Sequence, residues 1–128
     1  MSEFSNYLED KILDITLKNG TTYTVGTAYL ALFTTDPTDA GSGTECSYTG
    51  YARQSMAFGT ISGGSVSTNA TINFPALAGS DITVTHIGIF DAASSGNLLY
   101  HTVLDASKTL QADDIMSFAS GGVTVTVT

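Results

Sequence analysis

At 128 residues, with 42% hydrophobic and 9% aromatic side chains, the chain suffices for one folded core, is too short for two, and is too apolar to be disordered. Lys and Arg number 4 against 12 Asp and Glu, a formal net charge of −8, and the cations Lys11, Lys18, Arg53 and Lys108 are scattered. Nucleic acid and anionic membranes both need clustered cations, so neither is an expected partner.

One domain over residues 1–128 is expected, a helix of about 5–18 followed by a β domain of about 21–128. Phe4, Leu8, Ile12 and Ile15 recur at helical spacing and define one apolar stripe. Ser2 or Ser5 suits the N-cap, Glu9 and Asp10 lie in the first half, and Lys18 falls in the last turn, as the helix dipole favours. Asn19-Gly20 offers a left-handed stop. Tyr7, Leu13 and Leu17 lie off the main stripe, so the helix either lies simply on its own sheet or offers a second apolar face to a neighbouring subunit.

Beyond Thr21 the period changes to two. Residues 29–33 (YLALF) read as a strand buried on both faces. Residues 35–50 are rich in Pro, Gly, Asp and Ser and read as a long surface loop, of a length usually functional or mobile. Strands are predicted at 51–58, 65–69 and 70–74, with a turn at Gly63-Gly64. Residues 82–90 and 98–104 form a hairpin across 91–97, and 114–119 pairs with 123–128 across Gly121-Gly122. The closing VTVTVT puts valines inward and needs a partner for its edge. The expected class is all-β, mainly an antiparallel β-sandwich or curled sheet of about eight strands, with one N-terminal α-helix.

No residue pattern predicts catalysis. The N-terminus lacks a signal peptide's order of basic then apolar residues, so synthesis in the host cytoplasm and a soluble product are expected. The longest apolar run, residues 28–33, is far short of the about 20 residues that span a bilayer. Cys46 is alone, which rules out an internal disulfide, and no basic residue sits near it in sequence to make it reactive. His86 and His101 would face each other if Phe90 paired with Asn97, yet two imidazoles fall short of a catalytic zinc set, so no metal and no cofactor are expected. Asp36, Asp39 and Glu45 share a Gly-rich loop but miss EF-hand spacing, and Asp-Pro-Thr-Asp reads as a turn. Arg53, the only arginine, lies near Tyr48 and Tyr51 and suits either an interface or a salt bridge to Asp36 or Asp91. The candidate interface residues are therefore Arg53, Tyr48, Tyr51, Tyr7, Leu13, Leu17, Asp36 and Asp39.

Several blocks taken in order carry a resemblance. They are FSNYL at 4–8, YLALFTTDPTDAG at 29–41, GYARQ at 50–54, THIGIFDA at 85–92 and GNLLYH at 96–101. Together the chain resembles a family of short tailed-bacteriophage virion structural proteins, often labelled phage tail-fibre-like proteins. The resemblance implies a virion component whose partners are other virion proteins, capsid or tail, and further copies of itself. Capsid decoration, as a cement protein, is the reading placed first. A tail or tail-fibre accessory follows, the chain having neither heptads nor repeats. A receptor- or carbohydrate-binding module using Tyr48, Tyr51 and the 36–50 loop comes third.

Overall fold

The computed structural model describes residues 3–18, 20 and 23–127. Glu3–Phe4 forms a short strand, β1, and Ser5 then caps the helix α1, Asn6–Leu17. Ser5 is extended (φ −72°, ψ 159°), and its Oγ accepts the Leu8 N–H at 3.1 Å while donating to the Leu98 carbonyl. One hydroxyl therefore starts the helix and fastens it to the sheet. At the other end the N–H groups of Lys18 and Gly20 both reach the Asp14 carbonyl at 3.1 Å. The expected left-handed stop at Asn19-Gly20 rests on Asn19, which lies outside the described residues. Gly20 lies against the Asp14 side chain, whose carboxylate would have to turn aside for a Cβ at that position.

The remaining strands are β2 (Tyr29–Phe33), β3 (Gln54–Ser55), β4 (Ser65–Ser67), β5 (Ile72–Asn73), β6 (Ile82–Phe90), β7 (Leu98–Leu110), β8 (Ser117–Phe118) and β9 (Thr124–Thr126). They make a five-stranded sheet in the order β1-β7-β6-β2-β3 and two ribbons, β4-β9 and β5-β8, every pair antiparallel. Leu30, Leu32, Val84, Ile87 and Ile89 of the sheet pack against Ile72, Phe74, Met116, Val123 and Val125 from the ribbon side. This is the main core, and it gives the molecule a sandwich-like layering. On the opposite face Ala31, Phe33, Phe90 and Leu98 form a smaller cluster, with the Phe33 and Phe90 rings stacked at 6.0 Å. Gly88 makes room for it, since a Cβ there would sit 2.9 Å from Leu98 and 3.0 Å from Phe33.

The all-β expectation holds, and 37% of the described residues lie in strands or β-bridges. Three details differ. The strand expected at 51–58 shrinks to β3, because Arg53 and Tyr51 are turned to side-chain partners and the ladder stops at Leu30–Gln54. The hairpin's second strand runs six residues further, to Leu110, past an irregularity at Val84/His86. The last two segments do not pair with each other. β8 pairs with β5 and β9 with β4, which lets Val66 and Val125 meet across the ladder facing the core. Val123 and Val125 point inward as expected, whereas Val127 is exposed.

Candidate functional site

Arg53 leaves β3's approach and lies flat over Phe90, its guanidinium carbon 3.6 Å from the ring centroid. Its Nε and Nη2 donate to the two Glu45 carboxylate oxygens, each at 2.9 Å. Its Nη1 donates to the carbonyls of Ala92 (3.0 Å) and Ser95 (2.8 Å), so the guanidinium holds the hairpin turn as well. The side chain is 9% exposed. Arg53 is thus a salt-bridged structural residue, and its acid is Glu45 rather than Asp36 or Asp91. Asp91 is committed to Asn97, whose backbone and side-chain N–H groups it accepts at 2.7 and 3.0 Å.

The tyrosines beside it are also committed. Tyr51 donates its hydroxyl proton to Glu45 at 2.7 Å and accepts the Leu32 N–H at 3.1 Å, while its ring stacks on Phe74. Burial, reinforced by Glu45, raises its pKa well above the usual phenol value. Tyr48 is buried and donates to the Pro75 carbonyl at 2.6 Å. The open cleft of about 580 Å³ between residues 45–53 and 93–95 is therefore walled by aromatic rings whose faces are already occupied. The expected aromatic contact surface at Tyr48 and Tyr51 is internal packing. Cys46, in the same wall, is buried and its thiol is pushed up to about 11, chiefly by that burial.

Asp36 and Asp39 go elsewhere. Asp36 Oδ1 accepts the Thr38 N–H at 2.9 Å, the turn bond anticipated from Asp-Pro-Thr-Asp. Asp39 Oδ1 lies 2.7 Å from Nε2 of His101, and the Asp39 carbonyl accepts the first helical N–H, that of Asn6. His101 is buried between them and Glu3 of β1. Since Glu45 turns to Arg53, the three acids of the loop do not converge. His86 and His101 are not opposite each other either: His86 pairs with Val103 and His101 with Gly88, because the turn closes Phe90 on Leu98. Both rings nonetheless face Asp36, at 4.0 and 3.9 Å. Glu3 and His101 were missed as a unit because strand β1 brings them together, and two residues carry no periodicity.

The third group is on α1. Tyr7 packs edge-on to Tyr23 at 6.1 Å with Lys11 above it, so it is part of the helix's seat. Leu13 and Leu17 are 54% and 75% exposed, and Ile15, expected on the inner stripe, is 41% exposed. Of the helix residues Leu8 alone is buried, with Tyr7, Lys11, Ile12 and Asp14 half-buried.

Fold and site together define a β-rich protein of interlocked loops with a partly uncovered helix. A model of the family Podophage GP4 fiber I protein gp80 matches residues 3–126, and the chain belongs to that family. No curated protein matches it. The chain is accordingly a bacteriophage structural protein and a virion component, in agreement with the resemblance carried by its motifs. Among the described residues no helix is long and apolar enough to cross a membrane.

Proposed function

We propose that the protein is a non-enzymatic fibre component that joins other virion proteins through the outer half of α1. The observation that carries this reading is the family match to a fibre protein across residues 3–126. Leu13, Ile15 and Leu17 supply apolar area outside the core, of the kind that marks contact sites. The non-enzymatic reading is supported by how the reactive groups are used. Cys46 is a buried thiol with a raised pKa, Tyr51 and Arg53 close on Glu45, and His101 closes on Asp39. Assembly with further copies of the chain, and no role for nucleic acid, complete the proposal. The net charge of −8 with four dispersed cations supports the latter.

Capsid decoration is the second reading. The lack of heptads or repeats, usual in long fibres, favours a small closed unit laid on a larger surface. Immunogold labelling of purified virions separates the two. Label on the fibres with bare heads is the expected result, and label over the heads assigns the protein to decoration. A decorating protein, added to undecorated capsids, also raises their resistance to heat.

A further inference from the structure

Strand β9 has one neighbour and one open edge. Among the described residues it pairs only with β4, in the register Ser65–Thr126, Val66–Val125 and Ser67–Thr124. The Val127 N–H donates to the Gly64 carbonyl at 2.7 Å, and the Thr68 N–H to the Val123 carbonyl at 3.0 Å. Bonded pairs alternate in an antiparallel ladder, so Val125 is bonded to Val66, and Thr124 and Thr126 turn their N–H and C=O groups away from β4. Their side chains agree with this phase. The hydroxyls of Thr124 and Thr126 lie 2.8 and 3.2 Å from those of Ser67 and Ser65, the close approach of unbonded pairs. No other described strand lies beside the outward groups. Native edges are commonly blunted by lysine, proline or a bulge. Here residues 115–128 carry no charge and no proline, and the ladder is regular. A narrow groove runs beside the edge, lined by Ile87, Ile89, Tyr100 and Thr102 of the main sheet and by Val123 and Val125. Ile89 pairs with Tyr100 and Ile87 with Thr102, so the four share the face turned to the ribbons. The Phe4 ring backs Tyr100 at 5.4 Å. No acid, lysine or arginine lines the groove. Strands β7 and β1 thus carry the sheet past β9 and leave an apolar shelf under an unpaired edge.

We propose that this edge is a strand-addition site, taking one extended, uncharged segment of another virion protein with apolar residues at alternate positions. The backbone groups of Thr124 and Thr126 supply the pairing, and the shelf receives the inward side chains of a strand lying about 4.8 Å from β9. Charge selects the segment. All 12 acids and all 4 cations fall outside residues 54–80 and 115–128. A charged strand would meet no counter-charge here and would lose hydration on the apolar shelf. Shape selects a lone strand. The β9 of a second copy brings its own sheet beneath it, into the space that β7 and β1 already fill. The edge is also distinct from the exposed Leu13 and Leu17 of α1, so it adds a second contact to the one proposed for the helix.

The test titrates the full chain with a short capped peptide of alternating valine and threonine, followed by amide NMR and hydrogen exchange. Saturable binding of a single peptide is expected. The Thr124 and Thr126 amides should exchange freely in the unbound chain and slow about tenfold or more with the peptide. The same peptide N-methylated at every second residue keeps its side chains but cannot pair, and should bind about tenfold more weakly or worse. That comparison leaves the protein unaltered. Thr126→Pro removes an N–H that the β4 ladder does not use, so the variant should keep a Tm near that of the unaltered chain and lose the peptide. Leu13→Glu with Leu17→Glu should bind the peptide unchanged, and loss of binding there places the peptide on the helix and overturns the proposal. Absence of binding overturns it too, as does equal binding of the N-methylated peptide. Protection of both amides before peptide is added also overturns it: in a dimer a second copy holds the edge, and in a monomer the chain covers it itself.

Discussion

The guanidinium of Arg53 makes four hydrogen bonds and a ring contact from an almost buried position, two bonds to the Glu45 carboxylate and two to carbonyls of the 91–97 turn. Removing it strands the Glu45 carboxylate and two turn carbonyls together. Arg53→Ala should therefore lower stability by about 3 kcal/mol, read from urea unfolding. Arg53→Lys should recover less than half of that, since an ammonium cannot reproduce the planar fork. A small effect in both variants would show that the pair contributes little. The sequence marked Arg53 as unusual but did not show its acid. Glu45, Asp36 and Asp91 were equivalent as charges; only the turn at 91–97, which consumes Asp91, and the His101 cluster, which draws Asp36, leave Glu45 for Arg53.

At the scale of the element, α1 divides into a fastened and an open half. Ser5 is the fastening point, with its Oγ both accepting at the N-cap and donating to β7. Ser5→Ala should cost about 1–2 kcal/mol, measured by thermal or urea unfolding. Leu13→Glu with Leu17→Glu should leave the monomer within about 0.5 kcal/mol of the unaltered protein, because both side chains are largely in water already. The same pair should sharply reduce incorporation into virions, quantified on purified particles. Full incorporation would move the contact surface away from this helix. The helix was legible from its period and its Ser5 N-cap. Which of its faces stays open was only partly legible, since Tyr7 finds Tyr23 and Ile15 emerges, both results of where the helix crosses the sheet.

Across the whole molecule, the buried thiol and phenols share one electrostatic consequence. Burial pushes Cys46 up to about 11 from 9.0 and Tyr23 to about 12 from 10.0, and raises Tyr48, Tyr51 and Tyr100 in the same sense. These groups hold their protons more tightly folded than unfolded, so the unfolded chain ionises first as the pH rises. Their contribution is intact below about pH 9 and is lost as the pH climbs to 12. The Tm followed by circular dichroism should be level up to pH 9 and fall steadily beyond it. A flat profile to pH 12 would show that these groups titrate alike in both states.

What the sequence determined by itself is local. Alternation and capping residues fixed the helix, β2, β6 and the inward valines, because a side chain's face depends only on its neighbours' period. The motif blocks carried the family. Partner choice was decided by tertiary structure. A period of two says which face a residue takes and not which strand lies beside it, so β8 and β9 took β5 and β4 where Val66 and Val125 could share the core. Register was decided there as well: the closure of Phe90 on Leu98 and the irregularity at Ile89/Phe90 moved both histidines off their expected pairing, and each ring faces Asp36. That irregularity lies where Phe33, Phe90 and Leu98 pack over Gly88, a contact between residues far apart in the chain.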